Sequence, residues 1–130
     1  MPTWQLDDRG RYGGCWPVSD IDTLQATLER FAQQEPHQVH VDINTNEYID
    51  IGIGGRWAWV QYVVNDPWLA KVARGTDEIQ RPASLRFLAD GALDTEITAK
   101  YLMPASKVIE LVVHIFRLGA LPDSVEWEVV

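Results

Sequence analysis

The chain has 130 residues, 46% of them hydrophobic and 23% charged, a composition that is typical of a folded globular protein and excludes a disordered one. This length predicts one domain over residues 1–130, large enough to bury a core without disulfides. With 11 basic and 19 acidic residues, the formal charge of −8 excludes a protein that holds nucleic acid or an anionic membrane by positive charge.

The start of the sequence and its single cysteine indicate the compartment. The first ten residues, MPTWQLDDRG, lack the basic segment followed by an apolar run that marks a signal peptide. No segment approaches the roughly 18 apolar residues of a membrane-spanning helix. Cys15 has no second cysteine to pair with, so neither an internal disulfide nor a cysteine metal cluster is possible. We expect a cytoplasmic protein without membrane contacts.

The first elements are a loop-rich segment and a helix. Residues 1–18 are predicted to form loops, with Trp4, Tyr12 and Trp16 anchoring them to the rest of the domain. Ser19 followed by acids is typical of a helix start, where the positive end of the helix dipole favours negative charge. The apolar stripe of this helix recurs at spacings of three and four residues and consists of Ile21, Leu24, Leu28 and Phe31.

The remainder of the chain is predicted to form a sheet and a second helix. Alternating or β-branched patterns predict strands over residues 38–43, 48–53, 56–64, 68–73, 84–88, 96–101 and 125–129. Residues 105–118 are predicted to be helical, with Pro104 at the start and Gly119 as a left-handed stop. Two amphipathic helices on one face of a mostly antiparallel sheet define an α+β fold, a two-layer sandwich.

The hairpin in the stretch IDIGIGGRWAWVQ decides where its tryptophans point. Gly54 and Gly55 suit a two-residue turn with positive φ at both positions, which would pair Ile53 with Arg56. The isoleucines of the first strand then share one face. The opposite face carries Tyr48, Asp50, Trp57 and Trp59, and an odd-length loop after Ile43 adds His40 and Asp42.

This second face is a candidate partner-binding surface. If both helices cover the isoleucines, the face with aromatic and acidic side chains stays open, and aromatic residues dominate the binding energy of interfaces. The alternative is that the rings are covered by the N-terminal segment with Trp4 and Trp16. The candidate binding residues, including two on an adjoining loop, are Asp42, Tyr48, Asp50, Trp57, Trp59, Asp66 and Trp68.

Residues suited to catalysis are sparse, and no catalytic residue, metal site or cofactor motif is predicted. The string G-I-G-G joins strand to strand, whereas a phosphate loop opens onto a helix. His114 falls within the second helix, where a structural role is expected. His40 with Asp42 and Asp50 is the alternative, a small-molecule-binding or metal-dependent enzyme, although a third ligand at convincing spacing is missing. A structural subunit of a larger assembly is a third hypothesis.

The C-terminal third contains a short signature. This signature consists of Gly119, Pro122, Val125, Trp127 and Glu128. A second element, in the middle of the chain, consists of Gly52 and Gly54. Over roughly residues 20–130, the chain resembles the first-numbered Imm family of bacterial immunity proteins. Residues 1–18 and the Trp-rich strand lie outside the family pattern.

The resemblance implies a function without catalysis. Proteins of that family are antidotes that bind a cognate toxin domain and neutralise it by occlusion, and the toxins are often nucleic-acid deaminases or nucleases. Toxins that act on nucleic acid tend to have basic substrate clefts. The expected partner is therefore a basic toxin domain, which an acidic protein can cover.

Overall fold

The computed structural model describes residues 3–10, 13–75, 81–89 and 93–130. The helices are α1 (Ile21–Ala32) and α2 (Ala105–Leu118), and a short 3₁₀ helix spans Ala99–Tyr101. The strands are β1 (Trp4–Asp8), β2 (Cys15–Val18), β3 (His37–Asp42), β4 (Glu47–Ile53), β5 (Trp57–Val64), β6 (Leu69–Ala73), β7 (Ser84–Ala89), β8 (Leu93–Thr98), β9 (Met103–Pro104) and β10 (Trp127–Val129).

The strands form a mostly antiparallel sheet in the order β10-β6-β5-β4-β3-β1-β2. The β7–β8 hairpin joins through a single parallel pair, His37 of β3 with Leu88 of β7. The predicted α+β class, with a mostly antiparallel sheet and two helices, is confirmed. Among the described residues, no helix combines the length and the apolar character needed to cross a bilayer.

The N-terminal segment differs from the prediction, because it contains two strands instead of loops. β1 pairs with both β2 and β3, and its residues alternate between buried and accessible. Trp4 is 1% exposed, and its ring meets Phe116 of α2 edge-on at 4.8 Å, so it anchors the segment as expected. Tyr12 lies outside the described residues. Asp8 obscured the strand pattern in the sequence, because a carboxylate is rarely buried. The carboxylate of Asp8 accepts a hydrogen bond from the backbone N–H of Gly10 at 2.8 Å.

The two helices begin and end where local chemistry satisfies their backbone. The cap of α1 is Asp20, one residue later than the predicted Ser19, and its carboxylate accepts from the backbone N–H of Thr23 at 2.8 Å. This hydrogen bond lowers the pKa of Asp20. At the end of α2, Gly119 adopts φ 68° and donates to the carbonyl of Ile115, as predicted for a left-handed stop.

The helices cover the isoleucine face of the sheet. Ile49, Ile51 and Ile53 are fully buried, in one cluster with apolar residues from both helices. Burying side chains of this size stabilises the fold by about 1.5–3 kcal/mol each. The helix residues with no exposed surface in this cluster are Leu24, Leu28, Val108 and Val112.

The turn between β4 and β5 is longer than predicted. Gly54 and Gly55 have positive φ, 131° and 78°, but the loop spans residues 54–56 and pairs Ile51 with Val60. The backbone N–H of Gly55 donates to the carbonyl of Ala32 at 2.9 Å, which ties the loop to the end of α1. The register therefore differs from the prediction by two residues. A shift of two leaves every side chain on its predicted face.

Candidate partner-binding surface

The face of the sheet opposite the helices has two contrasting ends. At the hairpin end, the 54–56 loop closes the β4–β5 hairpin, and residues of β7 and β8 pack against β5. At the turn end, residues 43–46 connect β3 to β4, and residues 65–68 connect β5 to β6. The predicted binding residues at the hairpin end are Trp57 and Trp59. The other five, on the uncovered part of the face or in the 65–68 turn, are Asp42, Tyr48, Asp50, Asp66 and Trp68.

Trp57 and Trp59 are 8% and 3% exposed, so the prediction that their indoles form an open surface is wrong. They form a second buried cluster with Phe87 of β7 and Leu102. Gly52 makes this packing possible, because a β-carbon there would overlap the indole of Trp59 and lie 2.9 Å from the ring of Phe87. The cover is therefore the β7–β8 hairpin, and the proposed cover by the N-terminal segment is wrong as well.

On the uncovered part of the face, His40 lies between two carboxylates. Its Nδ1 is 2.9 Å from Asp50, its Nε2 is 3.0 Å from Asp42, and its ring packs against that of Tyr48 at 4.7 Å. The register pairs His40 with Asp50 and Asp42 with Tyr48, which confirms the predicted shared face. Since both partners accept, both ring nitrogens donate, as in an imidazolium. The hydrogen bond to Asp50 is the main cause of the raised pKa of His40.

This arrangement bears on the enzyme alternative. The structure does bring His40, Asp42 and Asp50 together, but each ring nitrogen already contacts a carboxylate. A metal bound through the imidazole would have to displace one of them, since a metal ligand must be an unprotonated nitrogen. Within the described ranges, no cluster of three or more His, Cys, Asp and Glu side chains has the spacing of a metal site.

The two connections at the turn end are joined by hydrogen bonds. The side chain of Asn46 accepts from the backbone N–H of Asp66 at 2.9 Å and donates to its carbonyl at 3.0 Å. The backbone N–H of Asn65 donates to the carbonyl of Asn46 at 2.8 Å. Within the 43–46 turn, the Asn44 side chain accepts from the backbone of Asn46 and Glu47. These bonds hold both turns in one conformation, with Asp66 and Trp68 exposed.

Basic residues are scarce in the middle of the face and at the turn end. Between Arg30 and Lys71 the sequence has one basic residue, Arg56, and it follows the Gly-Gly pair at the hairpin end. Basic residues also lie in the segments that cover the hairpin end, Arg86 on β7 and Lys100 before Leu102, where both form ion pairs with carboxylates. The acids between Arg30 and Lys71 are Glu35, Asp42, Glu47, Asp50 and Asp66. The middle of the face and the turn end are consequently negative.

Sequence reasoning missed two acids on this face, Asp7 of β1 and Glu128 of β10, the latter in register with Val72, Gln61 and Asp50. Asp7 of β1 pairs with His40, so its side chain shares the face of Asp42 and Asp50. Its carboxylate also accepts from Nε of Arg9 at 2.9 Å. The missed signal was the alternation of the WQLDD stretch, which was taken for a loop.

A further recess lies on the helix side. It is a groove of about 600 Å³ between α1 and α2. Ile109 and Val113 contribute apolar surface to it, and His114 lines it as well. His114 is half-buried there, in accord with a structural position on α2.

Comparison with known families identifies the class of the chain. The family model described as Immunity protein Imm1 matches residues 13–129. The chain belongs to this family, which confirms the resemblance drawn from the C-terminal signature. The match begins earlier than the expected residue 20 and includes β2. No curated protein matches the chain significantly.

The signature residues of the family have structural roles here. The indole Nε1 of Trp127 donates to the carbonyl of Pro122 at 2.8 Å, fixing β10 to the segment after α2. Gly119 ends α2, and Gly54 lies against the backbone of Glu35, where a side chain would not fit. These signature residues therefore stabilise the fold.

Proposed function

We propose that this chain is an antidote that binds a cognate toxin domain in the cytoplasm and neutralises it by occlusion, without catalysing a reaction. Membership of the immunity protein family carries the proposal. The form of the uncovered sheet face agrees with it, since that face offers acidic and aromatic side chains for contact with a partner.

The chemistry of the toxin follows from charge. A net charge of −8, to which Asp42, Asp50 and Asp66 contribute on this face, favours a basic partner and accelerates the encounter with it. Domains that act on nucleic acid carry positive charge where they hold phosphates. The proposed partner is therefore a nucleic-acid deaminase or nuclease, whose substrate cleft this chain covers.

The proposed contact surface consists of the accessible residues of the predicted set, namely Asp42, Tyr48, Asp50, Asp66 and Trp68. Tyr48 is half-buried against His40, so it presents one side of its ring. Trp57 and Trp59 have too little exposed surface to touch a partner. Their proposed contribution is to fix the sheet on which the contact residues stand.

An inhibition assay tests the function. The C-terminal domain of the protein encoded immediately upstream is purified and assayed on single-stranded and double-stranded DNA and RNA, by product analysis for deamination and for cleavage. We expect stoichiometric loss of activity on addition of this chain. A domain that is active and stays fully active with a large excess of the chain would contradict the proposal. A charge-matched acidic protein of unrelated fold serves as the control for non-specific inhibition.

A further inference from the structure

Exposed apolar side chains concentrate at one corner of the sheet. Five large hydrophobic side chains of the described residues are exposed, and four of them belong to β6, β10 or the residues beside them. Trp68 is 63% exposed, the highest value among them together with Leu118 of α2. Val130 donates its backbone N–H to Ala70 at 3.0 Å, which places it beside β6. The other two residues of this corner are Leu69 and Val129.

Trp68 lies in a turn whose conformation is fixed by hydrogen bonds. It follows Asp66 and Pro67 in the 65–68 turn, whose backbone is held by Asn46 through three hydrogen bonds of 2.8–3.0 Å. A side chain on a fixed turn loses little conformational entropy on binding, and an indole has only two rotatable bonds. Exposure of this large apolar ring to water is unfavourable, and the ring does not contribute to the hydrophobic core.

The charge next to Trp68 is not neutralised within the chain to the same extent as in the middle of the face. There, His40 contacts the half-buried Asp50 and offsets part of its charge, while its contact with Asp42 involves Oδ1 of that carboxylate alone. Asp66 is exposed, and among the described residues no Lys or Arg side chain is within ion-pair distance of it. The carboxylate of Asp42, 57% exposed, borders a recess of about 450 Å³ that Asn65 and the 43–46 turn also line.

We infer that the toxin contact is centred on the turn end, with Trp68 as its apolar anchor and Asp66 and Asp42 as its charged flank. The occupant is a basic groove of the toxin domain, in which a Lys or Arg side chain enters the recess beside Asp42. This inference rests on the proposed function and refines it, because it moves the contact from the centre of the sheet face to its end. Charge complementarity selects this occupant over a second copy of the chain, whose own net charge is −8.

Paired variants test the anchor and the flank separately. The upstream-encoded toxin domain is the probe, and association and dissociation rates are measured with the full-length chain. For the anchor, Trp68→Ala is compared with Leu118→Ala, because both side chains are 63% exposed and Leu118 lies on the helix side. For the flank, the single variants Asp66→Asn and Asp42→Asn are each compared with Asp94→Asn on β8. Thermal melts verify that all variants fold.

The two kinds of variant should change different rates. Trp68→Ala should raise Kd about 30-fold or more, through faster dissociation, as an interface hot spot does. The Asp42 and Asp66 variants should slow association several-fold and reduce its dependence on salt. Leu118→Ala and Asp94→Asn should leave both rates within about twofold of the wild type.

The outcomes separate this inference from the function on which it rests. If wild-type chain binds the toxin and Trp68→Ala binds within about threefold of it, the anchor is refuted while the antidote function stands. If the control variants lose as much affinity as Trp68→Ala, the contact is not at the turn end. If wild-type chain does not bind the active toxin domain, the proposed function fails, and the anchor fails with it.

Discussion

The tryptophans at the two ends of the sheet differ in exposure. At the hairpin end, Trp57 and Trp59 are buried beneath the β7–β8 hairpin. At the turn end, Trp68 is exposed beside Asp66 on a turn held by Asn46. The difference shows that an aromatic residue among acids does not by itself mark a binding surface. What surrounds it in three dimensions decides whether it contributes to the core or is available for contact.

The largest expected effect comes from breaking the packed end. Trp59→Ala should lower the free energy of unfolding by about 3–5 kcal/mol, because it removes a buried indole and leaves a cavity against Phe87. Chemical denaturation with far-UV circular dichroism measures the change. Trp68→Ala is the matched control and should alter stability by less than about 0.5 kcal/mol, as exposed substitutions do. Equal losses in the two variants would contradict the contrast between the ends.

A smaller effect should follow from loosening the turn end. Asn46→Ala removes both side-chain hydrogen bonds to the backbone of Asp66. We expect a loss of stability of about 1–2 kcal/mol and faster amide hydrogen exchange at residues 65 and 66. Asn46→Asp keeps an acceptor for the N–H of Asp66 but sets a carboxylate oxygen against its carbonyl, so it should not restore the full stability of the wild type. Unchanged exchange in Asn46→Ala would show that the turn does not depend on this residue.

The smallest effect concerns pH. The hydrogen bond that His40 donates to Asp50 raises the folded-state pKa of His40 above its ordinary value of 6.5. The stability that protonated His40 contributes is therefore fully present below pH 6.5 and is lost as pH rises through the folded-state pKa. Denaturation of wild type and His40→Gln between pH 5 and 9 measures it. The advantage of wild type should shrink steadily with pH, and a pH-independent difference would show that the ring contributes by packing alone.

Much of the fold was predictable because period-two alternation assigns faces without long-range information. Ile49, Ile51 and Ile53 were placed correctly despite the wrong turn length, since a two-residue shift preserves faces. The helix bounded by Pro104 and Gly119 was predictable from end signals that act locally. These parts depend on contacts between near neighbours in the sequence.

The covering of Trp57 and Trp59 was not predictable in the same way. It depends on a single parallel pair that brings β7 beside β3, across about fifty residues of chain, and on the absence of a side chain at Gly52. Neither feature produces a pattern that can be recognised in a short stretch of sequence. The lack of basic residues around Asp42, Asp50 and Asp66, by contrast, is readable from the sequence, and only the sheet order shows where these acids lie.

The lack of basic residues around Asp42, Asp50 and Asp66 has a consequence for encounter. When negative charge is spread unevenly over a molecule, the field of a cationic surface exerts a torque on it before contact. Towards the proposed basic partner, the molecule would therefore arrive already rotated, with the end that bears Asp66 leading. A larger fraction of collisions then occurs in the productive orientation. This increase disappears when added salt shortens the range of the field.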